Sequence, residues 1–254
     1  MINFKQLKAC LYKEFIEIVR GRRIWVYFLV AVGMAALNIF SVFLLKTLLS
    51  GDLIGMSFDS LSYFVTSFNS NMYSTYLLVC VFMMMGLISA EIKTKKWVTP
   101  LFSGIKPSNM IYAKLIIHTL VILFCTVIAF LINAVAGAIM FTVDMSLLEI
   151  VLSCLYLSII TVYICVLTIT LSAITKKSAL AAVTSCVLIF LSSILVMFLK
   201  FMLYTPFVFY GFSINTNLKL TTSQTVSAIL TYVISAAALI FLSVFLNNKF
   251  KRII

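Results

Sequence analysis

Acid–base or metal chemistry needs carboxylates and imidazoles, and this chain has few: Glu14, Glu17, Asp52, Asp59, Glu91, Asp144, Glu149 and a lone His118. All seven acids lie outside the long apolar stretches or at their ends, and no Lys or Arg falls in the middle of one. A proton-coupled pump needs a carboxylate or His relay inside the bilayer, and none is visible here. His118 sits about one turn into an apolar run, where a lone imidazole is usually a hydrogen-bonded structural residue. The phosphate-cradling GxxxxGK[ST] loop, the HExxH zinc helix and the GxSxG elbow are absent, and a Ser or Cys nucleophile has no obvious base. Of the six cysteines, five fall in apolar runs, with no CxxC spacing, so they read as small buried hydrophobes. The residues therefore predict no catalytic group, no metal site and no cofactor held by this chain.

What remains is one polar stretch, EIKTKKWVTPLFSGIKPSNMIYAK, residues 91–114. Lys93, Lys95, Lys96 and Lys106 crowd into it, and Pro100 and Pro107 break any long helix. Thr99-Pro100 predicts a helix cap followed by a first helical position. Leu101 and Phe102 then form apolar knobs, Gly104 stops the turn, and Pro107 restarts a helix that reaches the next apolar run at Lys114. A short helix with apolar knobs and a basic rim suits a groove on a soluble protein. The same residues also fit a plain positive-inside loop with Trp97 at the headgroups. The spacing leaves both open.

The elements around this stretch follow from composition. The chain has 254 residues, 63% hydrophobic and 10% charged, and apolar runs of the length a membrane-crossing helix needs recur along it. They predict an all-α polytopic membrane protein, one transmembrane domain over 1–254. Its six spans fall at about 24–45, 72–90, 115–141, 147–174, 179–199 and 225–246. The net charge of +12 does not point to nucleic acid, because the cations border apolar spans and form no groove-reading module. All of the 19 cations except Lys46, Lys200 and Lys219 fall on one side of a six-span topology. That bias places both termini in the cytoplasm.

Residues 4–20 read as an amphipathic helix in the membrane interface. Phe4, Leu7, Leu11, Phe15 and Ile18 form one face, and Lys13, Glu17 and Arg20 lie opposite. The N-terminus shows no cleavable signal pattern. Residues 46–71 read as a polar outer loop. Residues 200–224 are aromatic and interrupted by Pro206 and Gly211, which predicts interfacial or re-entrant turns buried in protein; an aromatic belt is the alternative. Asn38 and Asn133 are polar and mid-span, and face either a pathway or another helix. With Met83, Phe207 and Tyr210 they are the pathway candidates. No inverted repeat is evident.

Three features resemble the permease subunits of ABC-2 type exporters. The run KEFIEIVRGRRIWVYFLV (residues 13–30) is similar to that family's interfacial connecting helix, passing through the basic pair Arg22–Arg23 into the first span. The segment from Glu91 to Lys114 resembles its E…P-x-S…K loop, with Lys106-Pro107-Ser108-Asn109 as the closing turn. The segment 200–224 sits where the family has short re-entrant helices. Lysines occupy the positions where the family often carries a Glu and a Gly-Thr.

The resemblance implies a homodimer, or a pair with a sister permease, in a bacterial cytoplasmic membrane. Two separate ATP-binding subunits would hold ATP and magnesium. Coupling to them would fall to Glu91, Lys95, Lys96, Trp97, Pro100, Leu101, Phe102, Lys106, Pro107 and Lys114. The connecting helix would contribute Phe4, Leu7, Leu11, Phe15, Arg22 and Arg23. With no charge in the middle of a span, a hydrophobic or amphipathic substrate is expected, a peptide or toxin before lipids or drugs. The competing classes are a channel or secondary transporter, and a membrane-embedded assembly or immunity protein without an ATPase.

Overall fold

The computed structural model describes residues 4–48, 60–198, 204–214 and 222–250. Apolar backbone in a bilayer must satisfy its polar groups within one segment, so long apolar runs become helices. Among the described residues no strand forms, and Ser60 and Thr142 make an isolated bridge. The helices are α1 (Phe4–Arg20), α2 (Arg23–Leu48), α3 (Leu61–Asn71), α4 (Leu77–Met84), α5 (Ser89–Lys93), α6 (Val98–Phe102), α7 (Pro107–Met140), α8 (Leu147–Thr175), α9 (Ser178–Phe198), α10 (Val208–Ile214) and α11 (Thr222–Phe250). A π-helical turn, Met72–Tyr76, joins α3 to α4.

By length and composition, five stretches suffice to cross a membrane: Arg23–Thr47, Leu61–Lys93, Pro107–Met140, Leu147–Thr175 and Ser223–Asn248. The span expected at 179–199 corresponds to α9, Ser178–Phe198. The chain is thus an all-α, multi-pass membrane protein. α7 is the central post, packing on α1, α2, α3, α8 and α11, and α8 gathers α9, α10 and α11 around it.

Two boundaries differ from expectation, each for a local reason. The second span does not begin at residue 72. Helix starts at Leu61, where the Ser60 side chain accepts from the Tyr63 N–H as an N-cap. The Ser- and Asn-rich stretch reads as loop because its polar residues mask a helical apolar face. Leu61, Phe64, Val65 and Phe68 are all buried. The polar side chains are satisfied inside the protein: Asn69 Nδ2 donates to Ser153 Oγ at 2.7 Å and Ser67 Oγ to Asn38 at 2.9 Å. Gly137 of α7 admits α3 closely, since a Cβ there would lie 2.5 Å from the Phe64 ring and 2.7 Å from Leu61.

The third span likewise does not begin at Leu115. Pro107 occupies the first turn of α7, and nothing breaks the helix after it until Met140. At about 1.5 Å per residue, its 34 residues extend roughly 51 Å, well past an apolar core of about 30 Å. The excess carries Lys114, which is a helix residue and not part of a loop. Of the segment 200–224, the described part turns at Tyr204 and forms α10, with Val208, Phe209 and Tyr210 buried against α8, α3 and α9. Asp52, Asp59, Lys200 and Lys219 lie outside the described residues.

Candidate functional site

Lys114 is the centre of the most unusual chemistry in the bundle. Its side chain is 1% exposed, yet it carries a charge. The ammonium lies 2.8 Å from Glu14 Oε2 and 2.8 Å from Glu91 Oε1. The second Glu91 oxygen accepts from Trp97 Nε1 at 2.9 Å. Glu14 is 4% exposed and Glu91 16%. Lys13 approaches from outside, 3.3 Å from Glu17 and 3.9 Å from Glu14. Burial pushes the Glu14 carboxyl up; the Lys114 ammonium pulls it down and the Glu91 and Glu17 carboxylates push it up again, leaving it above the usual carboxylate value. The cluster joins three elements distant in sequence: the N-terminal helix α1, the short helix α5 and the post α7.

A second tie lies nearby. Gln6 Nε2 donates to the Gly104 carbonyl at 3.2 Å, and Asn109 Nδ2 donates to Gln6 Oε1 at 3.0 Å. One helix, α1, therefore grips the 91–114 segment at Lys114 and again at Gly104 and Asn109.

Inside that segment the backbone makes two matched helix stops. After α5, the Lys95 N–H bonds the Ile92 carbonyl (3.2 Å) and the Lys96 N–H bonds the Glu91 carbonyl (3.0 Å). After α6, Gly104 N–H bonds Leu101 (3.1 Å) and Ile105 N–H bonds Pro100 (3.0 Å). Both are Schellman motifs with the C′ residue left-handed: φ is 85° at Gly104 and 57° at Lys95. Among the described residues, the three non-glycine residues with positive φ, Arg22, Lys95 and Lys176, are all cations at helix C-terminal ends. There the helix dipole favours positive charge.

These contacts rearrange the expected roles. Thr99 does not cap α6, which begins at Val98 with Trp97 before it; the Lys95 reversal and the Trp97–Glu91 bond start the turn two residues early. Pro100 falls inside the first turn, where its missing N–H costs nothing. Trp97 is buried and not at an open surface. The two knobs separate: Leu101 is half-buried against the core, and Phe102 alone projects, 78% exposed. Lys95, Lys96 and Lys106 are exposed and Pro107 is buried.

On α1 the buried face is also rotated. Cys10, Glu14 and Ile18 face inward with Leu7 and Leu11, whereas Phe4 and Phe15 are 82% and 50% exposed. Arg22 and Arg23 are exposed at the turn into α2, where a Cβ on Gly21 would stand 2.8 Å from the Glu17 carbonyl oxygen.

The pathway candidates form separate contacts. Asn38 Nδ2 donates to Asn133 Oδ1 at 3.0 Å and to the Phe64 carbonyl at 3.3 Å. Its Oδ1 accepts from Ser67 and from Asn71 (3.3 Å). Both asparagines are fully buried, and Asn133 Nδ2 has no partner. Tyr210 stacks on Tyr73 with centroids 3.8 Å apart. Phe207 meets Tyr163 edge-on at 5.7 Å, and Met83 is half-buried on the core. His118, expected to be hydrogen-bonded, packs edge-on to Tyr27 at 6.4 Å with Nδ1 unpartnered. All six cysteines are free thiols. Every described acid is engaged structurally: Glu149 closes a capping box with Ser146, and Asp144 accepts from the Ser62 N–H.

Nothing in the sequence marks Gln6, and Glu14 stands out there only among the acids and Asn109 only in the closing turn, with no partner for either. Glu14 was findable, since it lies four residues after Cys10, three after Leu11 and four before Ile18, on the inward stripe of α1. No protein-family model and no curated protein matches this chain.

Proposed function

We propose that the chain is a permease subunit of an ATP-driven exporter of the ABC-2 type. In this reading it works as a homodimer or with a sister permease in a bacterial cytoplasmic membrane, with both termini and the 91–114 segment inside. Separate subunits bind ATP. The substrate is hydrophobic or amphipathic, a peptide first.

The observation that carries the reading is the Glu14–Lys114–Glu91 cluster. A loop that only obeyed charge topology would need no buried ion pairs beneath it. Here α1, α5, α6 and the foot of α7 are held as one unit, and within residues 91–114 that unit projects one aromatic, Phe102, on a segment that also exposes Lys95, Lys96 and Lys106. A rigid knob fixed to a transmembrane post would transmit force from a docked motor into α7, whereas a flexible loop would absorb it. The post packs on α1, α2, α3, α8 and α11, so a push at its foot reaches most of the bundle.

The test is co-expression with candidate ATP-binding subunits, followed by purification in mild detergent. Stoichiometric recovery of an ATP-binding subunit, with ATPase activity raised by amphipathic peptides over unrelated solutes, is expected. Recovery of the chain alone from every pairing would remove the reading and favour a channel or assembly protein.

A further inference from the structure

A cleft of about 830 Å³ opens between α1, the first turn of α2 and the chain from Gly86 to Lys96. Its charges do not balance. Glu17 is engaged by Lys13 at 3.3 Å, and Glu91 by Lys114 and Trp97. Three further cations line it, Arg20, Arg23 and Lys96. All three are exposed, and among the described residues none has a carboxylate within ion-pair distance. Arg20 and Arg23 flank the turn from α1 into α2, and the fold brings Lys96, more than 70 positions away, to the same cleft. The lining also includes an apolar stretch, Gly86, Leu87 and Ala90. The cleft thus combines cations with an apolar stretch, beside a helix whose outward face bears Phe4, Tyr12 and Phe15.

We infer that this cleft binds the phosphate headgroup of an anionic phospholipid. A phosphodiester offers non-bridging oxygens to guanidinium forks, which match them bidentately. Basic pockets between helices at a membrane surface take lipid headgroups on the same physical grounds. The apolar stretch suits the glycerol and first acyl carbons, which a soluble anion lacks, and this favours the lipid over free phosphate. The inference rests on α1 lying at the bilayer surface and does not depend on the exporter reading.

The test is native mass spectrometry of the full chain in an uncharged detergent. It is titrated with phosphatidylglycerol, with phosphatidylcholine, and with soluble glycerol 3-phosphate. Phosphatidylglycerol is expected to be retained preferentially. At about fivefold per surface cation, the triple change Arg20→Gln/Arg23→Gln/Lys96→Gln weakens it roughly 100-fold. A control with equal charge loss outside the cleft, Arg22→Gln/Lys93→Gln/Lys95→Gln, retains it. Ala90→Phe fills the cleft without touching charge and also releases the lipid, and Lys96→Gln alone gives a partial loss should the triple variant fold poorly.

Equal losses in the cleft and control variants would reduce the effect to general surface charge and overturn the proposal. So would full retention by Ala90→Phe. Glycerol 3-phosphate binding as tightly as the lipid would make this a soluble-anion site and overturn it as well. No ATP-binding subunit takes part, so failure here leaves the exporter reading untouched.

Discussion

Replacing Lys114 by Met removes the cation from between two carboxylates while keeping nearly the same volume. Glu14 is then left 4% exposed with no partner beyond Lys13 at 3.9 Å. Breaking a buried ion pair from one side costs about 3–5 kcal/mol, because the surviving charge stays desolvated. For a chain of this size that is a fall in Tm on the order of 10 °C. The sign of the pH dependence follows. Glu14 already titrates above the usual carboxylate value, and losing Lys114 raises it further. A carboxyl with a raised folded-state pKa binds its proton more tightly when folded, so its penalty is absent below the unfolded pKa and complete above the folded one. Lys114→Met should therefore be most damaging at alkaline pH and should recover as pH falls through the raised value. Glu14→Gln in the Lys114→Met background should regain most of the loss, with strong coupling in the double-mutant cycle. Thermal unfolding read by a thiol-reactive dye is suited to this, because all six cysteines are free and none is fully exposed. A Tm change under about 2 °C, or one independent of pH between 5 and 8, would refute the buried cluster as the fastening of this region.

Three further outcomes are expected. Lys95→Gly relieves a left-handed L-residue at φ 57° and should stabilise the chain by about 1 kcal/mol, seen as a small rise in Tm; a fall would mean the lysine side chain contributes more than its backbone costs. Gly137→Val drives a side chain into Phe64 and Leu61 and should cost about 1–3 kcal/mol, measured in the same scan and suppressed by Phe64→Leu. Asn38→Leu strands four polar partners and Asn133→Leu one. The first should lower stability by about 2 kcal/mol and the second by less than about 1 kcal/mol; the reverse order would contradict the hydrogen-bond assignment.

The helical, membrane-spanning character was legible because hydrophobicity of that length has one solution in a bilayer. The start at Pro107 and the stop at Gly104 were legible because backbone constraints there act through one residue. The helical start at Leu61 was not, since Ser67, Asn69 and Asn71 look solvated until their partners on α2 and α8 are in place. Lys114 was legible as a boundary cation and not as a buried one: burial of a charge is decided by Glu14, which is 100 positions away. Phe102 and Leu101 are neighbours of equal apolarity, and only the packed turn of α6 decides which one projects.

The claim that most needs testing is that Phe102 is the point of contact with an ATP-binding subunit. The affinity of the purified chain for that subunit should be measured by surface-immobilised titration, native sequence against Phe102→Asp. Because Phe102 touches solvent and not the core, Tm should hold while affinity falls roughly 30-fold, the loss of one buried aromatic anchor of about 2 kcal/mol. Unchanged affinity with unchanged Tm would contradict the account and leave residues 91–114 as a fastened but uncoupled surface.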